Sequence, residues 1–86
     1  MNSTVPCLPS YNKVAIERGG GWVCYGNSSG FATVGWDSGE LRSDSWSGYI
    51  TFLNRSPVYF CDHQDLKLAY LYVDQIYLSP TRASWC

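Results

Sequence analysis

The sequence predicts an all-β antiparallel domain, a small meander or barrel, and three observations point there. Short runs alternate apolar with polar residues and are rich in Val, Ile, Tyr, Phe and Trp, the side chains that fit a pleated surface. Clusters of Gly, Asn, Ser and Pro separate those runs and supply turns. Aromatic residues make up 16% of the chain, and each ring that is buried removes roughly 150–250 Å² from water. At 86 residues there is room for one domain, which buries only about 60–65% of the surface its unfolded chain exposes. Dense packing or covalent staples must supply the rest.

Residues 1–12 read as an extended arm, because Pro6 and Pro9 each bias the preceding residue away from the helical region. A single compact β-rich domain follows over 13–86. Lys13 to Glu17 places Val14 and Ile16 on one face, and Gly19-Gly20-Gly21 turns the chain into Trp22 to Tyr25, a hairpin. Gly26 to Gly30 is a second turn. Phe31 to Trp36 is a third strand with Ala32, Val34 and Trp36 on one face, and Gly35 marks a bulge in it. Asp37 to Ser47 is the longest polar stretch and reads as a surface loop. Tyr49 to Leu53 and Val58 to Cys61 complete five strands, joined by the turn Asn54 to Pro57. Val34, Ile50, Phe52 and Trp22 are the expected core.

Leu66 to Leu78 fits two templates. With period two it gives strands broken at Asp74-Gln75, favoured by its Tyr, Val and Ile content. With period 3.6 it gives a helix over 64–78, which would turn the fold into an α+β sheet with one C-terminal helix.

Six basic and seven acidic residues are scattered singly, for a formal charge of −1. No stripe of one sign is present, so direct nucleic-acid binding lacks the electrostatic half of its affinity. Prolines interrupt the first ten residues and no long apolar run occurs, so neither a leader nor a membrane span is expected. With Met1 as the natural start, the expectation is a cytoplasmic protein of the producer or an infected host.

Cysteine usage favours a rival. Cys7, Cys24, Cys61 and Cys86 form an even set without a CxxC motif, either small apolar fillers or two disulfides. As disulfides, Cys24–Cys61 between strands and Cys7–Cys86 between termini are the expected pairs. The secreted reading also gathers three N-glycosylation triplets at Asn2, Asn27 and Asn54, the third followed by Pro57.

Catalytic and metal signatures are weak. His63 sits two residues from Cys61, but strand neighbours two apart lie about 6–7 Å from each other, too far for a nucleophile and its base. Asp37, Glu40 and Asp44 follow no calcium-loop pattern, and no GxSxG or phosphate-binding glycine motif occurs. The expectation is a protein without catalysis, cofactor or metal. It acts by binding a protein or ribonucleoprotein, an inhibitor of the kind phages and mobile elements carry against host defence, anti-CRISPR proteins included, by format alone. A secreted, disulfide-stabilised lectin-like or effector domain is the alternative. The binding surface is placed on the segment with Trp36, Asp37, Glu40, Arg42, Asp44 and Trp46, where aromatic anchors sit among charges of both signs.

Overall fold

The computed structural model describes residues 2–86. Seven strands form one antiparallel sheet: β1 (Ser3–Val5), β2 (Lys13–Arg18), β3 (Gly21–Gly26), β4 (Gly30–Ser43), β5 (Gly48–Phe52), β6 (Val58–Phe60) and β7 (Asp65–Leu78). Their order across the sheet is β1-β3-β2-β4-β7-β5-β6, so the all-β antiparallel class expected from the alternation is the class found. The arm over 1–12 contributes β1, which pairs with β3 through Val5 opposite Cys24.

The alternative with a helix over 64–78 is overturned: the segment is a single fourteen-residue strand. Its inward positions are Leu66, Leu68, Leu71, Val73, Ile76 and Leu78. The steps between them alternate between two and three residues, which mixes a strand period with local irregularities and so imitates a helical stripe. Each three-residue step coincides with an offset in register. Between the pairs Ser38–Leu71 and Glu40–Lys67, β7 carries extra residues, and Ala69 and Tyr70 there adopt left-handed backbone, φ 53 and 57. At the second step Asp74 is the extra residue between Gln75 and Val73 opposite Thr51 and Phe52. The expected break at Asp74-Gln75 is therefore a bulge, which lets one strand bend and continue.

β4 bends for the same reason. Its register shifts between Thr33 and Trp36, where Gly35 takes φ 87, a conformation that costs an L-residue roughly 1–2 kcal/mol. The expected loop over Asp37 to Ser47 is corrected as well: Asp37 to Ser43 continue β4, with Ser38 and Leu41 fully buried on its inner side. Polar side chains on the outer face made this stretch look like a loop.

With both long strands bent, the sheet curls around one core. Val14, Ile16 and Tyr25 from one half pack with Val34, Ile50, Phe52, Phe60, Val73, Ile76 and Leu78 from the other. Val34, Ile50 and Phe52 take the expected inner places. Trp22 does not, because it is out of phase with the inward Val23 and Tyr25, and it lies 37% exposed on the outer face. Asn2 is buried against β4 and β7, its side-chain nitrogen donating to the Gly30 carbonyl at 2.6 Å and the Ile76 carbonyl at 3.4 Å.

Two disulfides staple the ends, and their pairing corrects the expected Cys24–Cys61 and Cys7–Cys86. Cys7 bonds Cys24, and Cys61 bonds Cys86. The reason lies in the topology. Pairing of β1 with β3 carries Cys7 to Cys24, while the C-terminal tail folds back on the end of β6, where Trp85 donates from Nε1 to the Phe60 carbonyl at 3.2 Å.

Candidate functional site

Continuation of β4 through Ser43 divides the segment from Trp36 to Trp46 between the two sides of the sheet. Trp36 faces the core half-buried, donating from Nε1 to the Glu17 carbonyl at 2.9 Å and stacking on Tyr25 with centroids 6.4 Å apart. Trp46 also packs on the core and donates from Nε1 to the Asn12 carbonyl at 3.1 Å. Both indole N–H groups are thus spent on backbone. Asp37, Glu40 and Arg42 lie on the outer side, so the two tryptophans and the charges do not form one anchor with its rim.

The charges form their own cluster. Glu40 accepts from Arg42 Nε at 2.7 Å and from Lys67 at 3.0 Å, and Arg42 lies 3.6 Å from Asp65. Hydrogen bonds from Asp65, Arg42 and Lys67 hold the Glu40 carboxyl down to about 2, while sharing a proton with Glu40 raises Asp65. The two act oppositely on stability. Glu40 has a lowered value in the fold, so its contribution is complete above the ordinary 4.5 and is lost as pH falls towards 2. Asp65 binds its proton more tightly in the fold, so acidification through its range favours the folded state. A carboxyl-carbon NMR titration should find Asp65 protonating above its usual 3.8 and Glu40 ionised until about 2. Glu40 titrating near 4.5 would show that the cluster does not hold in solution.

Arg42 also covers Trp22, its guanidinium carbon 4.6 Å from the ring centroid. Together with Cys7, Lys13, Ser43 and Asp44 they line a hollow of about 340 Å³. Asp44 is held there by its backbone, which donates to the Lys13 carbonyl and accepts from His63 N–H. Of the expected binding residues, this hollow brings Arg42 and Asp44 together.

A larger feature lies on the outer face of the other half-sheet. Phe31 of β4 stands opposite Tyr77 of β7, Tyr77 opposite Tyr49 of β5, and Tyr49 opposite Tyr59 of β6. The rings touch in sequence, with centroids 4.9, 5.0 and 5.5 Å apart. Trp85 caps the row 4.8 Å from Tyr59, held by its bond to Phe60 and by the neighbouring Cys61–Cys86 bridge. Phe31, Tyr59 and Trp85 remain 40%, 54% and 43% exposed. The five rings thus form one contiguous, partly exposed row on the outer face.

This row was not among the expected site residues, yet a signal for it exists. Phe31, Tyr49, Tyr59 and Tyr77 each stand one residue out of phase with an inward neighbour, respectively Ala32, Ile50, Phe60 and Ile76. Outward aromatics in four strands were therefore legible. Their convergence was not, because it depends on strand order and register.

The disulfide takes Cys61 out of any thiolate pair with His63. Among the described residues no group of three or more His, Cys, Asp or Glu side chains gathers as a metal site would need. Among the described residues, no helix is long and apolar enough to cross a membrane. No protein-family model matches the chain, and neither does any curated protein or solved structure.

Proposed function

We propose that this chain is a protein-recognition domain of an oxidising compartment, acting by occupancy of its partner through the face formed by Phe31, Tyr49, Tyr59, Tyr77 and Trp85. The observation that carries the reading is the unbroken contact of five rings, four on neighbouring strands and Trp85 on the C-terminal tail, three of them at least 40% exposed. Tyr and Trp concentrate binding energy because they offer large contact area at low conformational cost. Here the rings already brace one another, so less freedom is lost on binding. Tyr49 and Tyr77 stack with planes 29° apart, covering part of each other's faces, an arrangement that suits the packed core of a protein interface. The inhibitor expected from the sequence fits this mode of action, with a host-defence component as one instance of the partner. Two bridges in so short a chain favour an oxidising setting over the cytosol.

A lectin-like second reading has one observation in its favour. Tyr49, Tyr77 and Trp85 line a groove of about 510 Å³ together with Ser79, Thr81, Arg82 and Ser84, which place hydroxyls and a guanidinium near the rings on which a sugar would rest.

The test compares immobilised wild type, the Tyr59→Ser/Trp85→Ser double variant and Arg42→Ala for retention of a partner from extracellular fluid of the source. Wild type and Arg42→Ala should retain the same protein, and the double variant should bind it at least about 30-fold more weakly. Equal binding by the double variant, with loss in Arg42→Ala, would move recognition to the hollow at Trp22. Binding of free oligosaccharides that quenches Trp85 fluorescence would favour the lectin-like reading.

A further inference from the structure

We propose that Asn27 is the chain's one acceptor for an N-linked glycan, an inference that rests on the oxidising-compartment reading. Three Asn-x-Ser/Thr triplets occur, and the fold treats them differently. Asn2 is 3% exposed, and the nitrogen that would carry the sugar already donates to the Gly30 and Ile76 carbonyls. A glycan there would force the buried side chain out from between these carbonyls. Asn54 lies exposed in the bend between β5 and β6, but Pro57 follows its acceptor hydroxyl and restricts Ser56 to extended backbone, away from the turn in which that hydroxyl reaches the amide.

Asn27 meets neither obstacle. It is exposed in the bend from β3 to β4, at φ 69, with Ser29 completing its triplet. The left-handed backbone is one that Asn tolerates better than most residues, so the turn and the acceptor ask for the same side chain. An acceptor on a bend outside the sheet leaves every ladder hydrogen bond intact when a bulky group is added. In the transfer, the Asn27 amide nitrogen attacks the anomeric carbon of a lipid-pyrophosphate-linked oligosaccharide. A carbon–nitrogen bond forms, the carbon–oxygen bond to the pyrophosphate breaks with its electron pair leaving on the lipid pyrophosphate, and the amide proton passes to a base of the transferring enzyme.

The full chain, secreted behind a cleavable leader from eukaryotic cells, tests this by non-reducing mass and by peptide mapping after enzymatic deglycosylation, which converts a glycosylated asparagine to aspartate. One site should be found, at Asn27, lost in both Asn27→Gln and Ser29→Ala and kept in Ser29→Thr. Retention of the chain inside the cell changes only the fraction mapped, the membrane-enclosed lumen in place of the medium. Bare Asn27 in protein carrying both bridges, or sugar on Asn2 or Asn54, would overturn the inference while leaving the compartment reading intact. Sugar on Asn27 without bridges would support the inference and contradict that reading.

Discussion

Reduction and alkylation of all four cysteines should cost about 6 kcal/mol of stability, roughly 3 from each bridge. The estimate follows from closing loops between residues 17 and 25 apart in sequence, which restricts the unfolded chain by similar amounts. A domain of 86 residues has on the order of 4–13 kcal/mol in total, so the loss is a large share of it. The Cys7–Cys24 bridge secures the three-residue β1, which by itself makes few contacts, and the Cys61–Cys86 bridge holds the tail that carries Trp85. In urea the midpoint should fall by at least about 2 M. Identical midpoints for oxidised and reduced protein would show that the core alone holds the fold.

Gly48→Ala should cost about 3 kcal/mol or more, as much as the loss of one bridge. Gly48 pairs with Phe60 on one side and Leu78 on the other, and a methyl group built on it would overlap the carbonyl of Tyr77 and come within 3.2 Å of the Phe60 ring. The obstruction is backbone in the middle of the sheet, so no side-chain rotation relieves it. The strand would have to separate from β7 beneath the aromatic row. Gly21→Ala is the control, since its added methyl meets nothing nearer than the Arg18 carbonyl at 3.7 Å. Urea midpoints within experimental scatter of each other for the two variants would contradict the packing described.

What the sequence conveyed was local, and what it withheld was pairing. Val14 and Ile16, Ile50 and Phe52, and the hairpin turn at Gly19–Gly21 were readable because alternation and turn residues act over a few positions. Gly35 and Asp74 were readable as interruptions for the same reason, and both are bulges. Asp37 to Ser43 misled because a strand whose outer side chains are Asp37, Glu40 and Arg42 has the composition of a loop. Neighbouring strands settle it, through Lys67 and Asp65 opposite Glu40 and Arg42. The cysteine pairing followed from β1 lying beside β3 and from the tail folding onto β6, neither of which leaves a trace in spacing. The aromatic face combines both cases: its outward rings were visible one strand at a time, and only the order β4-β7-β5-β6 brings them into a row.

Recognition through that row is the central claim, and side-chain footprinting of the domain with its bound partner tests it most directly. Hydroxyl-radical labelling should fall at Phe31, Tyr59 and Trp85 on binding and stay unchanged at Trp22 and Tyr70, which are 37% and 72% exposed on other parts of the surface. Unchanged labelling of Phe31, Tyr59 and Trp85, with protection at Trp22 beside Arg42 instead, would contradict the account and place the interface over the hollow between β2, β3 and β4.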